Sequence, residues 1–296
     1  MKNSPVSSNN RAFTLLELLV AMTVTAFIVT SLVAITSIAI DTWNRSRSEL
    51  RAARQAKSMV DTMARDFEAL VIRRGNDFAW LSAKEESPDQ SSSAATLVFF
   101  TAATDRYDGE IGSAKDLGGD VSCVGYQLKW RDPIGAGTGT NFQTFVLNRH
   151  LVDPKETFEK LLGKTEIGQL FLDTYSSELA AEQNFVCENV FQFTVTFHLQ
   201  VAVTTGTTTK IENRLVTIGP TSGSVQEFSI KGTGIETVPA DLALKGGKIT
   251  AVGISLSVLS DAGIEQLRKS SGRASDAAWL AKNSYQYSKL VQLPGM

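Results

Sequence analysis

Between Phe13 and Ile40 the chain runs for 28 residues with one charge, Glu17, and no proline or glycine. As a helix rising ~1.5 Å per residue this stretch reaches roughly 42 Å, more than a ~30 Å hydrocarbon core needs. It can therefore span a membrane. It exceeds the ~7–15-residue apolar core of an ordinary secretory signal, and its small-residue site precedes the core instead of following it. The carboxylate just inside its start is the anomaly, because a charge deep in a bilayer costs on the order of 2.5–3.5 kcal/mol even on insertion scales. A lone anchor helix would do better without Glu17, so a partner for it is expected.

The residues around that charge, Arg11-Ala12-Phe13-Thr14-Leu15-Leu16-Glu17, follow a short polar, basic leader. They resemble the class III signal of type IV pilins and type II secretion pseudopilins. The resemblance implies that a prepilin peptidase cuts between Ala12 and Phe13 on the cytoplasmic side and methylates the new amino terminus, leaving 296 − 12 = 284 residues. It also implies that the ammonium of Phe13, from a neighbouring subunit, supplies the positive charge that Glu17 lacks. Two features depart from the family pattern. Ala12 stands where Gly is usual before the cut, and no helix-kinking proline occurs between Pro5 and Pro88.

Lys+Arg 29 against Asp+Glu 31 leaves a net charge of −2, so bulk charge argues for neither nucleic acid nor anionic lipid. Residues 1–12 carry Lys2 and Arg11 and no acid, which fits retention of this end in the cytoplasm. The expected topology is single-pass in the inner membrane, with everything after about residue 41 periplasmic. A cell-surface filament is a further location that the resemblance implies.

The leader 1–12 and the membrane-spanning half 13–40 are followed by an amphipathic stretch to about residue 75. There Trp43, Leu50, Ala53, Val60, Met63, Phe67 and Leu70 recur at helical spacing among charged positions. Arg73-Arg74-Gly75-Asn76 reads as a last turn and a glycine stop. One continuous helix of about sixty residues is expected; two separate helices are the alternative. Residues 76–95 read as a linker, and from residue 96 the period becomes two. Strands are expected at 96–101, 121–130, 141–150, 191–203, 210–218, 248–259 and 285–293, with short helices at 155–162, 261–269 and 275–284. Residues 168–182 are ambiguous, and loops are expected through 219–247. Long strands with one polar face fit an antiparallel sheet packed on one side, and the amphipathic half-helix supplies its cover. The expected fold is α+β and pilin-like, with a β-rich extracytoplasmic domain over 96–296.

Other candidate chemistry is thin. Asp105, Asp108 and Glu110, near Asp116 and Asp120, gather oxygen ligands of the kind calcium takes, but their spacing fails the EF-hand pattern and a solvated acidic loop is the alternative. Cys123 begins one expected strand and Cys187 precedes another, so a bridge between neighbouring strands is one reading and two buried thiols the other. His150 and His198 lack Cys or Glu at zinc spacing, and His198 falls on a polar strand face. No Gly-x-Ser-x-Gly and no phosphate loop occurs. An anchored enzyme is disfavoured, and no cofactor is expected.

Three features refine the resemblance. The soluble part, of about 200 residues, is large for a repeated subunit. The stretch Arg65-Asp66-Phe67-Glu68 closing a long polar helix is similar to J-type minor pseudopilins, and 145–158 resembles prepilin-type Verru-Chthon cassette proteins. The function implied is a minor subunit in a tip or priming complex, with other pilin-like subunits, the prepilin peptidase and the inner-membrane assembly platform as partners. The competing reading is a single-span binding or adhesion protein that never polymerises.

Overall fold

The uninterrupted run of helix-compatible residues from Leu15 onward becomes one 54-residue helix, α1 (Leu15–Glu68). The computed structural model describes residues 14–73, 75–87, 94–103, 120–133, 142–205, 208–219, 225–270 and 276–293. The chain divides into two units, Met1–Ser48 and Glu49–Met296.

In the first unit α1 is bare. Its side chains from Leu15 to Ile40 face outward almost without exception, and an 18-residue window reaches a mean hydropathy of 2.5. The hydroxyls of Thr25, Thr30, Ser31, Thr36 and Thr42 each donate to a carbonyl four residues back, and Thr23 to one three back. In an apolar surround these bonds give each of those six hydroxyls an acceptor, the condition under which such residues fit a membrane helix.

Among its described residues the second unit has eleven strands: β1 (Ala79–Glu86), β2 (Ala94–Thr101), β3 (Ser122–Arg131), β4 (Thr144–Val152), β5 (Phe185–Glu188), β6 (Val190–Thr205), β7 (Thr208–Ile218), β8 (Glu227–Lys231), β9 (Gly234–Val238), β10 (Lys248–Leu259) and β11 (Ser284–Gln292). The main path runs β11-β10-β6-β2-β1-β8-β9; β3, β4 and β5 extend from β2, and β7 extends from β6. Every pair is antiparallel except β2 with β6, which meet in parallel at Ala94 and Phe193. Helices α2 (Ile167–Leu179), α3 (Asp261–Lys269) and α4 (Ala277–Asn283) complete it.

The antiparallel sheet under an amphipathic half-helix is thus as expected, but the stripe that packs differs. The buried positions are Ala52, Ala56, Met59, Met63 and Asp66, at alternating steps of four and three, with Val60, Ala64 and Phe67 beside them. Leu50 is 57% exposed, and Trp43 in the first unit is 71% exposed. Phe67 stacks on Phe99 of β2 with centroids 4.4 Å apart, and Phe99 on Tyr126 of β3 at 6.4 Å. On the opposite face of β1–β4 lies α2. Its Phe171 occupies the space above Gly125, where a Cβ would fall 2.2 Å from the ring, and its Gly168 sits against Ser82. These strands are therefore covered on both faces.

The helix stop is also earlier than the sequence implies. α1 ends at Glu68, short of Gly75, because the following backbone is taken up by β2: Val71 N–H donates to Phe100 O, and Ala102 N–H to Ala69 O. The expected linker 76–95 contains β1, whose first five residues are buried. Doubly covered strands lose the alternation that betrays a half-exposed one. The expected loop 219–247 contains the hairpin β8–β9, whose five-residue arms are too short to display a period. Gly232 makes that hairpin feasible, with φ of 57° and the Asn76 carbonyl oxygen 2.0 Å from where a Cβ would stand.

Candidate functional site

The anomalous acid of the sequence acquires a local partner. Thr14 precedes the first helical residue and Glu17 is the third, the arrangement of a capping box. Thr14 N–H donates to Glu17 Oε2 at 2.9 Å and the Thr14 hydroxyl at 3.1 Å, while Glu17 N–H donates to Thr14 Oγ1 at 3.2 Å. Two donors that a helix start would otherwise leave bare are satisfied, and the carboxylate sits at the positive end of the helix dipole. Glu17 is therefore not an isolated charge. Among the described residues its Oε1 accepts no hydrogen bond, so one oxygen caps and the other is open to a further donor. Ala12 and Phe13, the expected processing positions, lie outside the described residues.

A second ionic arrangement, not anticipated from the sequence, lies inside the second unit. Asp66, 2% exposed, receives Arg149 in a bidentate pair, Nε to Oδ2 at 2.8 Å and Nη2 to Oδ1 at 2.9 Å. The Tyr126 hydroxyl donates to the same Oδ2, and Arg149 Nε also reaches Tyr126 Oη at 3.2 Å. Burial, and then the Asp66 charge, push the Tyr126 phenol well above its ordinary value. The Thr101 hydroxyl donates to Asp66 O at 2.9 Å. The end of α1 is thereby joined to β2, β3 and β4 in a geometry that a chance surface pair does not reach. The signal for it was present in the sequence as an acid on the apolar stripe at the Phe67 turn, but its cation lies 83 residues away.

The remaining candidates are dispersed. Cys123 and Cys187 are both free and buried, which corrects the disulfide reading. Cys123 lies opposite Val152 on one side of β4 and Cys187 opposite Leu147 on the other, so an intervening strand and five residues of offset separate them. A bridge needs Cα atoms within about 7 Å. Burial raises both thiols, Cys187 to about 12. Asp105, Asp108, Glu110 and Asp116 lie outside the described residues, and among the described residues no group of three His, Cys, Asp or Glu is placed to hold a metal. His150 is buried, its Nδ1 3.0 Å from Asn184 Nδ2, against the rings of Phe171 and Tyr175. His198 is half-buried on the polar face of β6. A cavity of about 220 Å³ beside Trp80, Ile230, Ile235 and Ile249 has only Lys248 as a charged lining residue.

Residues 7–33 match the family described as the prokaryotic N-terminal methylation motif, a span that contains Ala12, Phe13 and Glu17. This N-terminal segment is prepilin-like, and with the apolar helix it is compatible with membrane anchoring. No curated protein matches the chain. Among solved structures a type IV-like pilin from Thermus thermophilus is similar, at 13% identity over 82% of this chain and 96% of that one, with a TM-score of 0.31.

Proposed function

We propose that this chain is a minor subunit of a type II secretion or type IV pilus-like filament, trimmed between Ala12 and Phe13 and assembled through the apolar half of α1. The observation that carries this reading is the methylation motif at 7–33, which runs into a helix whose apolar window is left uncovered among the described residues. After trimming, Thr14 is the second residue and keeps its amide N–H, so the capping box survives processing. The open Oε1 of Glu17 then accepts the ammonium of a neighbouring Phe13 without uncapping the helix. A soluble part larger than a repeated subunit needs supports a tip or priming position. Assembly uses an ATPase and platform elsewhere.

One observation favours a second reading, a single-span anchor that does not polymerise. The bonds from Thr14 give Glu17 a role that requires no neighbour. Two measurements separate the readings. The intact mass of the membrane-extracted chain, with and without a co-expressed prepilin peptidase, is expected to fall by twelve residues and gain about 14 Da for one methyl group; an unchanged mass in both samples rejects the filament reading. The second uses two variants. Glu17→Gln keeps the cap and loses the charge, whereas Glu17→Leu loses both. The filament reading expects both to insert and both to lose co-purification with other subunits. If Glu17→Gln co-purifies like the parent chain, the charge-pairing account is wrong.

A further inference from the structure

The sheet of the second unit has two long strands with a single neighbour each. β11 pairs with β10 over nine consecutive residues without a shift, and β7 with β6 over eleven. Neither pairs with another described strand. An open strand edge is a template for another strand unless proline, a bulge or an inward charge blunts it. Neither strand contains proline or a bulge. Among the described residues the charges on their inward face are partnered except for Lys210: Lys289 of β11 is held by Asp61 at 2.8 Å, and Arg214 of β7 pairs with Glu212 at 2.7 Å, a pair that Lys289 of the next copy would join.

The two edges complement each other in direction. β11 is antiparallel to β10, β10 to β6, and β6 to β7, so after three reversals β7 runs antiparallel to β11. A second copy placed alongside in the same orientation brings its β7 against β11 as an antiparallel neighbour. Chains anchored in one membrane share an orientation, and in this the inference rests on the reading above.

Face and charge then select a register. Leu290 lies opposite Gly253, Gly253 opposite Thr196, and Thr196 opposite Thr217, so even-numbered residues of β11 share a face with odd-numbered residues of β7. In an antiparallel array, directly opposite residues aim their backbone groups either both toward or both away from the interface between them, so across these four strands matching faces also matches hydrogen bonds. With Leu290 opposite Ile211, all nine residues of β11 meet residues of β7. Two exposed apolar side chains cover each other, 52% and 73% exposed in the single chain. Lys289 meets Glu212 and Tyr287 meets Arg214, while Ser288 meets Asn213. A slip of two residues either way sets Lys289 against Arg214 or Lys210, like charges that disfavour it. A slip of one turns every side chain to the wrong face.

We propose that β11 of one copy and β7 of the next form this antiparallel ladder, continuing the sheet from chain to chain. The contact is head-to-tail, so it leaves one β11 and one β7 edge open at the ends of any run. A tip complex with two copies side by side satisfies it.

The test is disulfide trapping in the full-length, membrane-embedded chain, with Leu290→Cys and Ile211→Cys on separately tagged copies. The native thiols Cys123 and Cys187 are buried and give little background. A linked heterodimer is expected for Leu290→Cys with Ile211→Cys, and for Gln286→Cys with Leu215→Cys in the same register. Little is expected for Leu290→Cys with Leu215→Cys, which the register sets four residues apart. Glu212→Lys is expected to lower the trapped yield several-fold. Equal yields from matched and mismatched pairs, or no trapping while the chain is still processed and co-purifies with other subunits, overturn the ladder and leave the filament reading standing. Register-specific trapping in a chain that is never processed supports the ladder and rejects the filament reading.

Discussion

The two halves of α1 follow the same helical geometry and differ in what lies against them. From Leu15 to Ile40 most side chains are apolar and nearly all face outward, without a periodic stripe. From Ala52 to Phe67 the apolar positions narrow to a stripe of alanines, methionines and one phenylalanine, with a buried acid. A helix that meets lipid all round needs no stripe; one that meets a sheet on one side needs one. The contrast also fixes where charge is tolerated. Glu17 is held by the helix start itself, and Asp66 only by groups brought from β3 and β4.

That contrast is sharpest at Asp66. Asp66→Ala leaves Arg149 and Tyr126 buried without their acceptor, and the second unit should lose about 3–5 kcal/mol. Denaturant unfolding of the full chain in detergent, followed by tryptophan fluorescence, checks it, and a loss below ~1 kcal/mol would make the buried cluster incidental. Gly125→Ala should cost about 1–3 kcal/mol, since a Cβ at 2.2 Å displaces the Phe171 ring of α2. The same unfolding assay reads it, and pairing it with Phe171→Leu should recover part of the loss.

The third prediction concerns alkaline pH. Burial raises the Tyr126 phenol and the Cys187 thiol above their ordinary values of 10.0 and 9.0, Cys187 to about 12. Both keep their protons in the folded chain while the unfolded chain loses them. Stability from these groups is fully present below pH 9 and declines as pH rises from there toward 12, each group adding at most about 1.4 kcal/mol per pH unit. Cys187→Ala should lessen the part of the decline that begins near pH 9, the Cys123 thiol, also raised by burial, keeping the rest, and a midpoint unchanged between pH 8 and 11 would contradict the assignment.

Smaller effects are expected in the bare half. Thr14→Ala removes the cap, at about 0.5–2 kcal/mol of local helix stability. Its signature is fraying of the first turn, read by hydrogen exchange in micelles, with the unfolding midpoint of the second unit unmoved. Ile28→Ala should shift that midpoint by less than about 0.5 kcal/mol. A larger shift would mean the apolar half packs on protein within its own chain.

The sequence made the parts with a clear period legible. The alternation Phe191-Val203 and Lys248–Leu259 marks β6 and β10, and Ser260 before Asp261 caps the helix α3, with Gly263 N–H donating to its hydroxyl at 3.1 Å. Strand β1 was hidden because both of its faces are covered, and β8 and β9 because five residues hold too few alternations. The stripe on α1 was misplaced because the alanines that carry it look neutral beside Trp43 and Leu50. The Asp66–Arg149 pair was illegible for a different reason: the acid and its cation are far apart in the chain, and only the packed sheet brings them together. The Thr14–Glu17 cap, three residues apart, was written locally throughout.

The distance between Asp66 and Arg149 also sets a timetable. The stripe from Ala52 to Phe67 is made before any strand that covers it, and β4, which carries the arginine, follows some eighty residues later. At ~5–20 residues per second, that interval is on the order of 4–16 s, during which, on the membrane-anchored reading proposed above, an amphipathic helix with an unpaired acid emerges next to a membrane. The acid makes that wait tolerable: while Asp66 is ionised and hydrated, the end of the helix is held out of the lipid, and it is released to the interior once its arginine arrives.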